Sequence, residues 1–255
     1  MRQISISIFF PTFNEERNIV SMVERAIDVA RQCPYVKAYE IVIIDDGSTD
    51  ATPALADLLA QRHTEVRTVH HPTNQGYGAA LKTGFQEARM QYVFFTDADM
   101  QFDLLELEHL VIHVPEYCVV TGYRAPRRDS FMRLVNAKGW NILNRIFFGL
   151  RIRDIDCAFK LFERSVIKQI RITSDGAMVN AELLVRLMRR GIPIKEVPVS
   201  HLPRIYGSPT GAKPSVIFRA IRELLSLYMS ELGSASLIAP SIPHQDMVHA
   251  NPRSL

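Results

Sequence analysis

Ile41-Val42-Ile43-Ile44-Asp45-Asp46-Gly47-Ser48-Thr49-Asp50 is the stretch that decides the fold class. Four consecutive apolar, mostly β-branched side chains suit a strand covered on both faces, as in a parallel sheet between helices. The run then breaks into acids and a Gly-Ser turn, so the strand ends where polar groups reach solvent. Working outward, Ile4–Phe10, Val66–Val69 and Tyr92-Val93-Phe94-Phe95 repeat the apolar run. Helical stretches separate them. The first runs from Glu15 to about Gln32, with Asn14 as its cap and Glu15 and Glu16 in its first turn. A second, capped by Asp50, runs to about Arg62, and Ala79–Met90 follows the Gly-rich turn Asn74–Gly78. Four strand–helix alternations with short links predict an α/β fold, Rossmann-like, with a mostly parallel central sheet flanked by helices. Ligands of such sheets collect at the carboxyl ends of the strands. Asp45-Asp46 and Asp97-Ala98-Asp99 both stand there.

The second half is less regular. Val119-Val120 leads into Thr121–Arg124, and Ala158–Phe162 and Ile194–Val199 read as strands with a helix from about Ala177 to Arg190 between them. From Pro214, Val216, Ala220, Leu224 and Tyr228 mark one helical face. The reading is one domain over 1–232, dividing at about residue 120 into a regular first half and a less regular extension over 121–232, with a flexible tail over 233–255.

Composition supports this division. Of 255 residues, 47% are hydrophobic and 22% charged, which excludes general disorder. The formal charge of +3 hides unlike halves. Residues 1–120 carry nine Lys and Arg against seventeen Asp and Glu, a net −8; residues 121–255 carry 21 against 10, a net +11. Such a split suggests two different partners. Cys33, Cys118 and Cys157 form no C-x-x-C pair, which excludes a disulfide framework and a thiolate zinc site and fits a reducing compartment. No stretch approaches the roughly 18 apolar residues of a membrane span, and Met1-Arg2-Gln3 lacks the apolar core of a leader. The expected location is cytoplasmic, peripheral on the cytoplasmic face of a membrane.

Asp97-Ala98-Asp99 is the sharpest chemical feature. Two carboxylates one residue apart after a buried strand can share a divalent cation, Mg²⁺ or Mn²⁺, with Gln101 adding a neutral oxygen. An ordinary acidic turn would look the same. Asp45 and Asp46, on a second strand end, suit ribose hydroxyls or a base edge. Gly76-Tyr77-Gly78-Ala79-Ala80-Leu81-Lys82 fails both the dinucleotide and the P-loop spacing, because Leu81 stands where each needs glycine. A tight turn survives, with Lys82 either a nucleotide contact or a solvated lysine. Between Tyr123 and Arg153 there are eight basic residues and one acid, Asp129. Apolar positions recur there at helical spacing, around Trp140, Phe147 and Phe148, so a basic amphipathic helix pair on a membrane surface fits better than nucleic acid. A packed helical hairpin with a solvated basic edge remains the alternative. Arg204 and Lys213 flank a loop of small residues that could close over a diphosphate, and Asp154, Asp156 and Glu182 are acids that could serve as bases. His70-His71 reads as a strand end.

Six stretches in register resemble the family 2 inverting glycosyltransferases, and within them the polyprenyl and dolichyl phosphate mannosyl- and glucosyltransferases. They are Pro11–Glu15, Ile44–Ser48, Asn74–Ala79, Asp97–Gln101, Asp156–Lys160 and Val197-Pro198-Val199 leading to Arg204. The resemblance implies a GT-A fold with a nucleotide and metal half over about 1–120 and an acceptor-side extension over 121–232, a nucleotide-sugar donor (GDP-mannose or a UDP-sugar, with mannose the expected hexose), a divalent metal and a polyprenyl phosphate acceptor. It places Pro11, Thr12, Glu15, Asp45, Asp46, Gly76 and Lys82 around the nucleotide, and Asp97, Asp99 and Gln101 on metal and diphosphate. Arg204 and Lys213 would clamp the diphosphate; Arg124, Arg128 and Arg133 would hold the acceptor phosphate. Asp97, Asp99, Arg124 and Asp156 are the implied catalytic set. A membrane-anchoring partner subunit is compatible with the lack of an apolar span. Phe102-Asp103 after Gln101 departs from the family pattern, as does Pro209-Thr210-Gly211 after Arg204. A sugar hydroxyl acceptor, or a nucleotidyl transfer, is the competing chemistry.

Overall fold

β1 (Ile4–Thr12), β2 (Val36–Asp45), β3 (Val66–His70) and β4 (Tyr92–Thr96) alternate with α1 (Ile19–Gln32), α2 (Thr52–Arg62) and α3 (Tyr77–Glu87). The apolar runs thus become parallel strands, β1 pairing with β2 and β4, and β2 with β3. The computed structural model describes residues 3–126, 131–204, 206 and 214–234, of which 131–133, 214–217 and 231–234 are described by their backbone. After β4, a 3-10 turn (Leu104–Glu106) and α4 (Leu107–Val111) precede β5 (Val119–Arg124). Then come α5 (Phe131–Phe148), β6 (Phe159–Glu163), α6 (Arg164–Ile167), α7 (Val179–Arg189), β7 (Ile194–Val199) and α8 (Pro214–Ser234).

The described strands form a seven-stranded sheet in the order β3-β2-β1-β4-β6-β5-β7. β6 runs antiparallel to both neighbours, whereas β5 and β7 are parallel to each other. The residues entering β6 therefore share a rim with the carboxyl ends of the other strands.

Ile41, Val42, Ile43 and Ile44 are fully buried, as their two-faced strand requires. Phe9, Phe85, Phe95 and Phe162 stack across the sheet, Phe9 and Phe85 meeting edge to face at 5.2 Å. Each such large ring contributes on the order of 2–3 kcal/mol by leaving water. A second cluster joins the extension: Leu143, Phe147 and Phe148 of α5 pack on Ala181 and Leu184 of α7 and Leu224 of α8.

Three expectations are corrected. Asn14 does not cap a helix; it adopts φ 56°, its side chain accepts from Thr49 N–H at 2.8 Å, and α1 begins at Ile19. Glu16 is likewise diverted, its carboxylate accepting from Ala51 N–H at 3.0 Å. Local hydrogen bonds between the β1 and β2 loops outcompete the extra helical turn. The basic segment forms one helix rather than a pair, because Gly149, at φ 73°, ends α5 and buried Leu150 and Ile155 anchor a loop. α8 extends through Ser234, so Gly233 and Ser234 are helical; residues 235–255 of the expected tail lie outside the described residues.

Candidate active site

Each strand end delivers its polar residues to one rim. β1 ends at Pro11-Thr12, beyond its last pairing with β4 at Phe9, so the missing proline N–H costs no ladder bond on that side. The Thr12 carbonyl accepts from Asp46 N–H at 2.9 Å, locking the ends of β1 and β2 together. Met100, with φ 60°, turns the chain sharply between Asp99 and Gln101 and brings both back to the rim.

Arg204 is the meeting point. Its guanidinium contacts Asp99 Oδ2, lies 3.3 Å from Gln101 Oε1 and 4.0 Å from Glu15 Oε1. Four residues singled out from distant parts of the sequence therefore converge. Asp97 joins them electrostatically: burial, with Asp99 beside it, pushes its carboxyl up to about 7. The Tyr77 hydroxyl donates to Asp97 Oδ1 at 2.9 Å. Glu15 is also raised, mainly by burial. This rim thus holds more carboxylate than Arg204 neutralises. Two buried carboxylates and an amide oxygen fit a hard divalent cation such as Mg²⁺ or Mn²⁺, although no group of three or more His, Cys, Asp and Glu gathers as a metal cluster among the described residues.

Asp45 and Asp46 are buried and largely committed to protein partners. Asp45 Oδ1 accepts from Ser48 N–H at 3.0 Å, and Oδ2 lies 2.8 Å from His70 Nδ1. Asp46 accepts from Gln75 N–H at 2.9 Å and Gly76 N–H at 2.8 Å, with His71 Nδ1 at 2.7 Å. These carboxylates shape the glycine turn as well as facing the rim. A cavity of about 560 Å³ beside them is lined by Phe13, Gly47, Ser48, His71 and Asn74. Gly76 and Gly78 press on the chain at 174–175: a Cβ on Gly76 would come 2.7 Å from the Asp175 carbonyl oxygen, and one on Gly78 would come 2.6 Å from that of Ser174. Lys82 contacts Asp175, its side chain 27% exposed, so the lysine has a carboxylate partner at the partly exposed edge of the glycine turn.

In the second half of the chain, Arg124 makes two bonds of 2.7 Å to Asp154. Asp154 is thereby a counter-charge rather than a base. Glu182 is fully buried and accepts from Thr173, Ser174 and Arg186, which holds its pKa low against burial and leaves it a structural role. Asp156 is exposed at the entrance to β6 and acts electrostatically on Tyr77. Arg128 and Lys213 lie outside the described residues, as does the side chain of Arg133.

Sequence reasoning passed over Tyr77, His70, His71 and Lys160 as site-shaping groups. The histidines had a readable signal: Asp45 pairs in register with His70, so two acidic and two imidazole residues end neighbouring strands. Lys160, fully buried on β6, donates to the Ile155 carbonyl at 3.1 Å and to that of Cys157. An apolar strand gives no sign of so deep an ammonium.

The fold is similar to that of glucosyl-3-phosphoglycerate synthase from Mycobacterium tuberculosis, crystallised with Mn²⁺, UDP and glucosyl-3-phosphoglycerate, a GT-A structure. The TM-score is 0.68 at 20% identity, over 89% of this chain and 80% of that one. Among curated proteins, the chain is 31% identical over 213 residues to Glycosyltransferase AglD of Haloferax volcanii, covering 79% of this chain and 34% of the relative. It is also 31% identical over 214 residues to a dolichyl-phosphate beta-glucosyltransferase of Trichomonas vaginalis, covering 77% and 65% respectively. The chain thus spans about one third of the first relative and just under two thirds of the second. The model of glycosyl transferase family 2 matches residues 7–171, a span that holds the strand ends, the glycine turn and both rim carboxylates. The chain belongs to glycosyl transferase family 2.

Proposed function

We propose that this chain transfers a hexosyl group from a nucleotide sugar to a polyprenyl phosphate at a membrane surface, with inversion at the anomeric carbon. The observation that carries the reading is the convergence of Glu15, Asp99 and Gln101 on Arg204. A guanidinium held by carboxylates at a strand-end rim is positioned to exchange them for the oxygens of a diphosphate, which it can grip with two parallel hydrogen bonds.

In the proposed reaction an acceptor phosphate oxygen bonds to the anomeric carbon from the face opposite the leaving group. The bond from that carbon to the diphosphate oxygen breaks, and the nucleoside diphosphate departs with the electron pair. A phosphate monoester is largely ionised at pH 7, with its second pKa at about 6, so no side chain has to remove a proton. Asp97, Asp99 and Gln101 are the residues that would hold Mg²⁺ or Mn²⁺, which when bound supplies Lewis-acid neutralisation of the leaving diphosphate. Arg204 orients that diphosphate, Tyr77 fixes the Asp97 carboxylate, and Arg124, with Arg128 and Arg133, steers the acceptor anion. The sequence resemblance implies mannose; the relative named for glucose makes glucose an equal candidate.

Two helices support a membrane-surface setting. Val135, Ile142 and Ile146 on α5, and Phe218, Leu225 and Met229 on α8, expose apolar side chains at matching helical intervals. No helix among the described residues is long and apolar enough to cross a membrane.

The test is a thermal-shift screen of UDP- and GDP-sugars with Mn²⁺ or Mg²⁺, followed by transfer to a short-chain polyprenyl phosphate. Release of nucleoside diphosphate with formation of a polyprenyl phosphosugar supports the reading; release of pyrophosphate would mean nucleotidyl transfer instead. Asp156→Asn separates the acceptor classes. Retained turnover fits a phosphate acceptor, whereas loss of the chemical step with donor binding intact points to a hydroxyl acceptor needing a base.

A further inference from the structure

We infer that α5 and the first residues after it, 150–152, form a docking groove for the phosphate headgroup of an anionic membrane lipid, built from side chains other than those that converge on Arg204. α5 contains no acidic residue along its 18 positions. Its inner side, from Trp140 to Phe148, packs on α7 and α8. Lys138, Asn141 and Arg145 share a second side, at spacings of three to four and seven residues. There they line a cavity of about 550 Å³ together with Leu150, Arg151 and Ile152. Val135, Ile142 and Ile146 form the exposed apolar stripe, turned about 80° from the cationic side at 100° per residue. Cationic side and apolar stripe together make up the outward half of the helix.

Among the described residues, three charges in the groove have no acidic partner. Lys138, Arg145 and Arg151 are exposed and make no ion pair among the described residues. Arg153, at one end, is held 4.8 Å above the Tyr123 ring, and its N–H donates to Glu196 Oε1 at 2.7 Å. Glu196 thus attends Arg153 at that end of the groove. Three unmatched cations bordering an apolar stripe complement a surface that is anionic at its headgroups and apolar below. The apolar stripe argues against nucleic acid, which offers no apolar layer, and the shape argues against a free anion, which would leave the stripe unused. The proposal rests on the membrane-surface reading above and adds the lipid class and the residues that read it.

The experiment is vesicle binding with the full chain. Wild type and the triple variant K138Q/R145Q/R151Q are titrated with phosphatidylcholine vesicles, with and without 30 mol% phosphatidylglycerol. Each cation near an anionic surface contributes about a fivefold gain in binding, so the triple variant is expected to bind the anionic vesicles roughly 100-fold more weakly. Phosphatidylcholine binding should barely change. Thermal melts confirm that these surface changes leave the fold intact. Equal binding of both vesicle types by wild type, or undiminished anionic binding by the triple variant, overturns the proposal. So does a 20-nucleotide single strand that binds wild type more tightly than the vesicles do. Turnover of a short-chain polyprenyl phosphate without vesicles identifies the headgroup's source. Unchanged turnover in the triple variant assigns the groove to bulk lipid, and parallel loss overturns the proposal by assigning it to the acceptor. Absence of turnover in wild type would count against the transfer reaction and leave the vesicle result to decide the groove.

Discussion

The Arg204 guanidinium rests against the Asp99 carboxylate, 105 residues earlier in the chain, and reaches Gln101 Oε1 at 3.3 Å in the same approach. A cation delivered from beyond β7 thus completes a rim whose acids leave β1 and β4. If Arg204 grips a diphosphate as proposed, Arg204→Met removes charge-assisted hydrogen bonds each worth about 1.5–3 kcal/mol. Calorimetry with UDP or GDP and Mn²⁺ should show affinity falling roughly 10- to 100-fold, with Arg204→Lys recovering part of it because an ammonium lacks the planar fork. Asp99→Asn should abolish the dependence of that affinity on metal. Metal dependence that survives in Asp99→Asn removes Asp99 from the ligand set.

Arg124 and Asp154 form a buried two-point pair, their side chains 8% and 6% exposed. Asp154→Asn leaves the guanidinium without this counter-charge, and breaking a buried pair costs about 3–5 kcal/mol. Urea denaturation should show that loss, with Arg124→Met/Asp154→Leu less destabilised than either single variant. If Arg124 also steers the acceptor, Arg124→Met raises the acceptor KM more than Asp154→Asn does.

His70 predicts a pH effect with a definite sign. Burial disfavours its imidazolium, but Asp45 and Asp57 outweigh burial and raise its pKa above 6.5. A group whose folded pKa is raised stabilises the fold fully below the unfolded value and loses that contribution as pH rises through the folded one. The melting temperature of wild type should therefore exceed that of His70→Gln most clearly below pH 6.5, the gap narrowing as pH rises past the raised value. A gap that widens with pH contradicts the ion pair.

Lys160 holds the carbonyls on either side of Asp156, those of Ile155 and Cys157. Lys160→Met keeps most of the volume and leaves both carbonyls unpaired, at a cost of about 1–3 kcal/mol. If Asp156 contributes to turnover, kcat should fall further than Asp156→Asn alone predicts from a lost carboxylate, with donor affinity unchanged. A variant as stable as wild type would mean the carbonyls find other donors.

Local pattern carried the strand–helix alternation because burial on both faces leaves its mark directly on Ile41–Ile44 and Tyr92–Phe95. The rim acids were legible for the same reason: Asp97 and Asp99 interrupt an apolar run. What escaped was pairing at a distance. Lys82 reads as a nucleotide contact or a solvated lysine until Asp175 is seen against it, and Glu182 reads as a base until its backbone donors are placed. Asn14 reads as a helix cap by local preference, yet its side chain is taken by Thr49 in the next loop. Counter-charges and caps depend on which loops share a rim, and chain order alone leaves that open.

β6, running against its neighbours, gives the rim two edges of different origin. Loops that leave β1, β2 and β4 supply Glu15, Asp46 and Asp99, while the loop that enters β6 supplies Asp154 and Asp156. An engineer could therefore redraw what approaches from the β6 side by exchanging residues 154–157, with the three exit loops left untouched. The reversed strand lets the two edges of the rim be altered separately.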